Sequence, residues 1–135
     1  MLKEFKFHHI GMAVKDIQKS REVYEKGGYL SSDIIFDPIQ NVDICWLKRE
    51  GMPTIELLAP VDEQSPICKI LMKNGVTPYH TCYSVENIYE AIAELRKQKY
   101  VLVSKPTEAV AIHNKKVAFM HNKHVGLIEL VENSL

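Results

Sequence analysis

The chain has no excess of charge of either sign: across its 135 residues Lys and Arg total 17, and Asp and Glu total 17. A balanced surface offers no electrostatic footprint for nucleic acid or an anionic membrane, so neither is expected as a partner. Long apolar runs are missing as well. No segment reaches the length of a bilayer span, and the start, Met1-Leu2-Lys3-Glu4-Phe5-Lys6-Phe7-His8, lacks the apolar stretch of a signal peptide. Cysteine is scarce: Cys45, Cys68 and Cys82 are odd in number, show no C-x-x-C spacing and sit among apolar neighbours. They are expected to be reduced, mostly buried thiols of a cytoplasmic protein. Low-complexity sequence is absent too, so disorder is expected only in the last few residues.

What is present is ordinary in amount and unusual in arrangement. A content of 46% hydrophobic and 25% charged residues describes one globular domain, or two half-sized modules that share a core. Either half alone, at roughly 60 residues, would be marginally stable. The arrangement is a repeat. His9-Ile10-Gly11-Met12-Ala13-Val14-Lys15-Asp16-Ile17 aligns with His80-Thr81-Cys82-Tyr83-Ser84-Val85-Glu86-Asn87-Ile88, and 9 to 80 is an offset of 71 residues. Ile55-Glu56-Leu57-Leu58 aligns with Ile128-Glu129-Leu130-Val131, and 56 to 129 is an offset of 73 residues. Each copy therefore places one histidine and one glutamate at matching positions. Two imidazoles and two carboxylates related by a repeat are what a divalent metal site on a pseudo-twofold axis would need.

Patterning predicts the elements that carry them. Residues 5–14 read as a strand with Ile10, Met12 and Val14 on one face and His9, Gly11 and Ala13 on the other. Asp16 is placed to cap a helix over 17–26, with Ile17, Val23 and Tyr24 facing the sheet and Gly27-Gly28 ending it. Strands over 29–36, 42–48 and 54–58 follow, joined by turns at Asp37-Pro38 and at Glu50-Gly51-Met52-Pro53. That makes one βαβββ module over about residues 5–60. Ser65 is expected to cap, and Pro66 to open, a linker helix over about 65–75 that Asn74-Gly75 closes, with Ile67, Ile70 and Leu71 packing down. A second module over about 78–133 starts with a strand at 79–85. Its helix is announced by the capping pair Asn87 and Glu90 and by the apolar face Ile88, Ala91, Ile92 and Leu95. Strands near 100–103, 110–113, 117–120 and 126–131, with turns at Lys105-Pro106 and Asn122-Lys123, complete it.

Strand alternation sends Glu56 and Glu129 to the face opposite their apolar neighbours. A lone glutamate in a strand is usually solvent-facing. Here both lie in the last strand of a module whose first strand begins with a histidine, so all four side chains are expected to meet in one cleft. A divalent ion there would balance the carboxylates and use the neutral imidazoles. His8 aligns with Tyr79 rather than with a histidine and is expected at the surface or a dimer edge. His113, His121 and His124 have no counterparts in the first module and are expected to be half-exposed polar residues.

Over nearly its whole length the chain resembles the vicinal-oxygen-chelate superfamily, the glyoxalase and bleomycin-resistance fold, and within it the methylmalonyl-CoA epimerase-like group. The resemblance rests on His9-Ile10-Gly11-Met12-Ala13-Val14, on Ile55-Glu56-Leu57-Leu58-Ala59-Pro60 with Ser65-Pro66-Ile67, and on Val117-Ala118-Phe119-Met120-His121 with Gly126-Leu127-Ile128-Glu129-Leu130. It implies an α+β fold in which two tandem βαβββ modules form a curved, half-open barrel, and a homodimer. It also implies a divalent ion (Zn, Ni, Co, Mn or Fe) held by His9, Glu56, His80 and Glu129, and a small carbonyl or thioester substrate. Such an ion stabilises an enolate or enediolate formed when a proton leaves the carbon beside a carbonyl, and Glu129 is the implied base.

The resemblance breaks at two places. In the run Pro38-Ile39-Gln40-Asn41-Val42-Asp43-Ile44, Ile44 stands where the epimerases carry a second glutamate base, and Asp43 would replace it only if a bulge shifted the register. Ala109-Val110-Ala111-Ile112-His113-Asn114 stands where those enzymes have a glycine-rich loop. Three functions follow from this reading. The first is a metal-dependent acyl-CoA epimerase or isomerase. The second is a glyoxalase I-type lactoylglutathione lyase, which depends less on a base at position 44, and the third is a binding module of the antibiotic-resistance type. A ring-cleaving dioxygenase fits poorly, because its facial triad uses a single carboxylate.

Overall fold

Asp16 and Gly27 bound the first helix as their chemistry dictates. The Asp16 carboxylate accepts the Lys19 backbone N–H at 3.0 Å, α1 spans Ile17–Lys26, and Gly27 is its C-cap. The structure, a computed structural model, describes residues 1–133. Within them the chain forms an α+β fold whose contacts gather into two units, one of residues His9–Tyr79 and one of Met1–His8 with the chain from His80 onward.

The His9–Tyr79 unit contains β1 (Lys6–Ala13) from His9 on, then α1, β2 (Leu30–Ser31), β3 (Ile35–Asp37), β4 (Val42–Lys48), β5 (Ile55–Pro60) and α2 (Ile67–Asn74). Its strands lie in the order β2-β4-β5-β1, with β3 also on β4; β1 and β5 are parallel and the other pairs antiparallel. Val14, Ile17, Cys45, Leu47, Leu57 and Ala59 form its core, under α1. The expected strand over 29–36 is interrupted. Ser32 is the cause: its hydroxyl accepts the Trp46 N–H at 2.9 Å, in place of a backbone carbonyl, and itself donates to Asp33 O at 2.8 Å.

Val23 does not face the sheet; it is 68% exposed. At 100° per residue it lies about 120° away from Ile17, outside the inward stripe made by Ile17, Ser20, Arg21 and Tyr24. Ser65 does not cap α2 with its side chain either. Pro66 takes the N-cap position without a side-chain bond, the Ser65 carbonyl accepts the Cys68 N–H at 3.0 Å, and the buried Ser65 hydroxyl makes no hydrogen bond. Gly75 does end the helix, with a φ of 70° that favours glycine and its N–H on Leu71 O at 2.8 Å.

The other unit contains β6 (Thr77–Val85) from His80 on, α3 (Ile88–Lys97), β7 (Val101–Ala109), β8 (Lys115–Asn122) and β9 (Gly126–Glu132), in the order β6-β9-β8-β7. β6 and β9 are parallel, and the remaining pairs antiparallel. Asn87 caps α3 by accepting the Glu90 N–H at 3.0 Å, and Ile88, Ala91, Ile92 and Leu95 are all buried. They pack on Met120, Ile128 and Leu130. Ahead of His9, Phe5 stacks on Tyr83 of β6 at a centroid distance of 5.1 Å, and Phe7 meets the same ring edge-on at 6.1 Å.

Two expectations fail in this unit. Lys105-Pro106 is not a turn: β7 runs straight through as an edge strand whose register shifts between Leu102 and Ser104 and again between Ser104 and Thr107. An edge position with irregular pairing tolerates a proline that has no N–H to give the ladder. Residues 110–113 are not a strand. Val110–Ile112 form a single 3-10 turn, and His113 and Asn114, at φ of 53° and 58°, reverse the chain into β8. Among the described residues no helix is long and apolar enough to cross a membrane.

Candidate metal centre

In β5, Ile55 and Leu57 turn toward the α1 side and Glu56 turns away from it. Across the parallel pair, the Cα partner of Glu56 is Gly11 on β1. His9, two residues before Gly11 on the same face, brings its Nε2 to 3.2 Å from Glu56 Oε1. His9 is 0% and Glu56 3% exposed.

The second unit repeats this construction. Glu129 on β9 has Cys82 on β6 as its Cα partner, and His80, two residues before Cys82, brings its Nε2 to 3.3 Å from Glu129 Oε1. Both members are again buried, at 3% and 2% exposure. Each unit thus joins its own predicted histidine to its own predicted glutamate. Two donors bound to one ion at about 2.1 Å would lie about 3.0–3.4 Å apart for octahedral to tetrahedral angles. The two observed separations, 3.2 Å and 3.3 Å, fall in that range. Imidazole nitrogen with carboxylate oxygen is also a donor set that borderline divalent ions accept. The chemistry of each pair therefore fits a metal ligand pair.

One aromatic side chain in each unit, unforeseen from the sequence, completes the arrangement. Trp46 on β4 is the Cα partner of Glu56, and its ring stands at 83° to the His9 ring with centroids 4.9 Å apart. Phe119 on β8 is the Cα partner of Glu129, and its ring stands at 85° to His80 with centroids 5.3 Å apart. The signal was available in the sequence: 46 to 119 is an offset of 73 residues, the same as for the glutamates.

Position 44 is decided by the β4–β5 ladder, which runs without a break from Val42↔Pro60 to Leu47↔Ile55. No bulge shifts the register. Ile44 lies on the Trp46 and Glu56 face and is buried, whereas Asp43 lies on the face of Cys45 and Ala59. His8 is partly buried, and His113, His121 and His124 are exposed. Cys45 and Cys82 are buried thiols and Cys68 is partly exposed.

Residues 8–119 match the family model described as Glyoxalase/Bleomycin resistance protein/Dioxygenase superfamily. The methylmalonyl-CoA epimerase of Mus musculus mitochondria is 32% identical over 129 residues, covering 93% of this chain and 71% of that protein. An ethylmalonyl-CoA/methylmalonyl-CoA epimerase of Cereibacter sphaeroides is 29% identical over 93% of this chain and 96% of its own. Among solved structures, methylmalonyl-CoA epimerase from Mycobacterium tuberculosis superposes with a TM-score of 0.86 at 29% identity, covering 100% of this chain and 94% of that one.

Proposed function

The chain belongs to the Glyoxalase/Bleomycin resistance protein/Dioxygenase superfamily, and from that membership we propose that it is a divalent-metal-dependent enzyme that removes a proton beside a carbonyl, acting as an acyl-CoA epimerase or isomerase. The observation that carries this reading is the buried imidazole–carboxylate pair found once in each unit, 3.2 Å for His9–Glu56 and 3.3 Å for His80–Glu129. We read the four as ligands of one ion, the modules as one glyoxalase-like domain, and the protein as a cytoplasmic homodimer. An ion bound there would supply Lewis acidity to a substrate carbonyl and so lower the cost of removing the neighbouring proton.

The chain's own residues divide the remaining work. His9 and His80 present Nε2 toward the glutamates, and an imidazole that holds a divalent ion does so through its unprotonated nitrogen. Glu56 holds its place by donating charge and an oxygen. Glu129 is the group assigned to take the proton, by analogy with the epimerase-like members that the chain resembles. The similarity to epimerases of CoA thioesters supports an acyl-CoA substrate over other carbonyl compounds.

Ile44 favours keeping a second reading, a glyoxalase I-type lyase acting on a glutathione hemithioacetal. Epimerisation needs a group on the opposite face to return the proton, and an isoleucine cannot, while the unbroken ladder keeps Asp43 on the other side of the sheet. The lyase reaction asks less of that position. Incubation of metal-loaded protein in heavy water with methylmalonyl-CoA, and separately with methylglyoxal plus glutathione, separates the two. We expect deuterium at the α-carbon of methylmalonyl-CoA, introduced much faster than the configuration is inverted, because only one base is in place. Turnover of the glutathione adduct alone would move the assignment to the lyase, and inertness toward both would remove this pair of substrates.

A further inference from the structure

We propose that Trp46 and Phe119 are positioning residues for the metal site, each setting the orientation of one imidazole; this rests on His9 and His80 being ligands. The strand order places each aromatic residue two strands from its histidine, with the glutamate strand between: β4-β5-β1 for Trp46, Glu56 and His9, and β8-β9-β6 for Phe119, Glu129 and His80. Strands two steps apart are separated by about 9.6 Å. The rings nevertheless meet at 4.9 Å and 5.3 Å. Both side chains of each pair therefore lean toward the glutamate strand between them, and the imidazole meets a ring as well as a carboxylate.

A histidine has one broad terminal torsion, and rotation about it would carry Nε2 away from the carboxylate. A near-perpendicular ring at this distance blocks that rotation and adds a favourable edge-to-face contact. Simple core packing does not account for the pair. Both aromatics are only half-buried, and neither is among the residues of the core under α1 or the core under α3. Their identities differ, indole in one unit and phenyl in the other, while strand position, ring angle and the offset of 73 residues are kept. What is retained is a flat ring at a fixed angle to an imidazole.

The test uses Co²⁺ alone with the metal-free full chain. Trp46 is the sole tryptophan, so its emission reports directly on the His9 side. In the unsubstituted protein, Co²⁺ is expected to quench that emission and to develop visible ligand-field absorption with one midpoint. Phe119→Leu leaves the reporter in place and is expected to weaken Co²⁺ binding about 10- to 100-fold, the usual effect of losing a group that orients a ligand. Phe119→Tyr should restore it. Trp46→Leu and Trp46→Phe, followed by the visible absorption, should repeat the contrast, which keeps the test alive if one leucine variant does not fold. A purely structural role would lower the melting temperature of the metal-free protein and leave Co²⁺ affinity unchanged in the folded leucine variants; that result overturns the proposal. Absence of Co²⁺ binding in the unsubstituted chain overturns it by another route, because then the metal reading itself fails.

Discussion

Glu129→Gln is expected to slow exchange of the hydrogen beside the substrate carbonyl by a factor of about 10² to 10⁴, the usual contribution of a positioned general base. In barrier height that is about 3–5 kcal/mol. Glutamine matches glutamate in size and keeps an oxygen, so the packing of the neighbouring Ile128 and Leu130 in the core is preserved. The capacity to accept a proton at ordinary pH is what disappears. Glu56→Gln, the equivalent change in the other module, should cost less, since Glu56 is assigned only a ligand's role. Deuterium uptake measured at matched metal content decides between them, and equal losses in the two variants would remove Glu129 from its role as base.

Glu56→Ala and His80→Ala, one in each unit, are each expected to abolish stoichiometric binding of a divalent ion. Their effects on folding should differ. His80→Ala takes one hydrogen-bonding imidazole from the Glu129 carboxylate, 2% exposed, and losing such a partner costs about 1–3 kcal/mol. Glu56→Ala removes the carboxylate itself and leaves an imidazole, so its cost is mainly that of the vacated volume. Thermal melts of the metal-free variants should therefore place His80→Ala below Glu56→Ala, while elemental analysis finds both without metal. Full metal content in both purified variants would sink the ligand assignment.

Local chemistry explains which parts of the fold were legible. The helix over 17–26 was readable to the residue because Asp16 and Gly27 signal its ends, and α3 because Asn87 and its inward face of Ile88, Ala91, Ile92 and Leu95 agree. The repeat singled out two histidines and two glutamates for one cleft, and within each unit the histidine lies beside the glutamate. What escaped depends on contacts distant in sequence. Ser32 breaks a strand only because Trp46 lies opposite it, Pro106 stays in a strand only because β7 is an edge, and residues 110–113 turn because His113 and Asn114 adopt left-handed backbone. Trp46 and Phe119 escaped for the same reason. Their place beside the histidines follows from the β4–β5 and β8–β9 registers, which alternation alone does not supply.

The central claim is that two half-sites, one per module, serve a single ion. Elemental analysis of the purified chain, prepared without chelator and referred to protein concentration, tests it most directly. The account predicts one divalent ion per chain, lost in Glu56→Ala and in His80→Ala. Two ions per chain, or none after exposure to Zn, Ni, Co, Mn and Fe in turn, would contradict it.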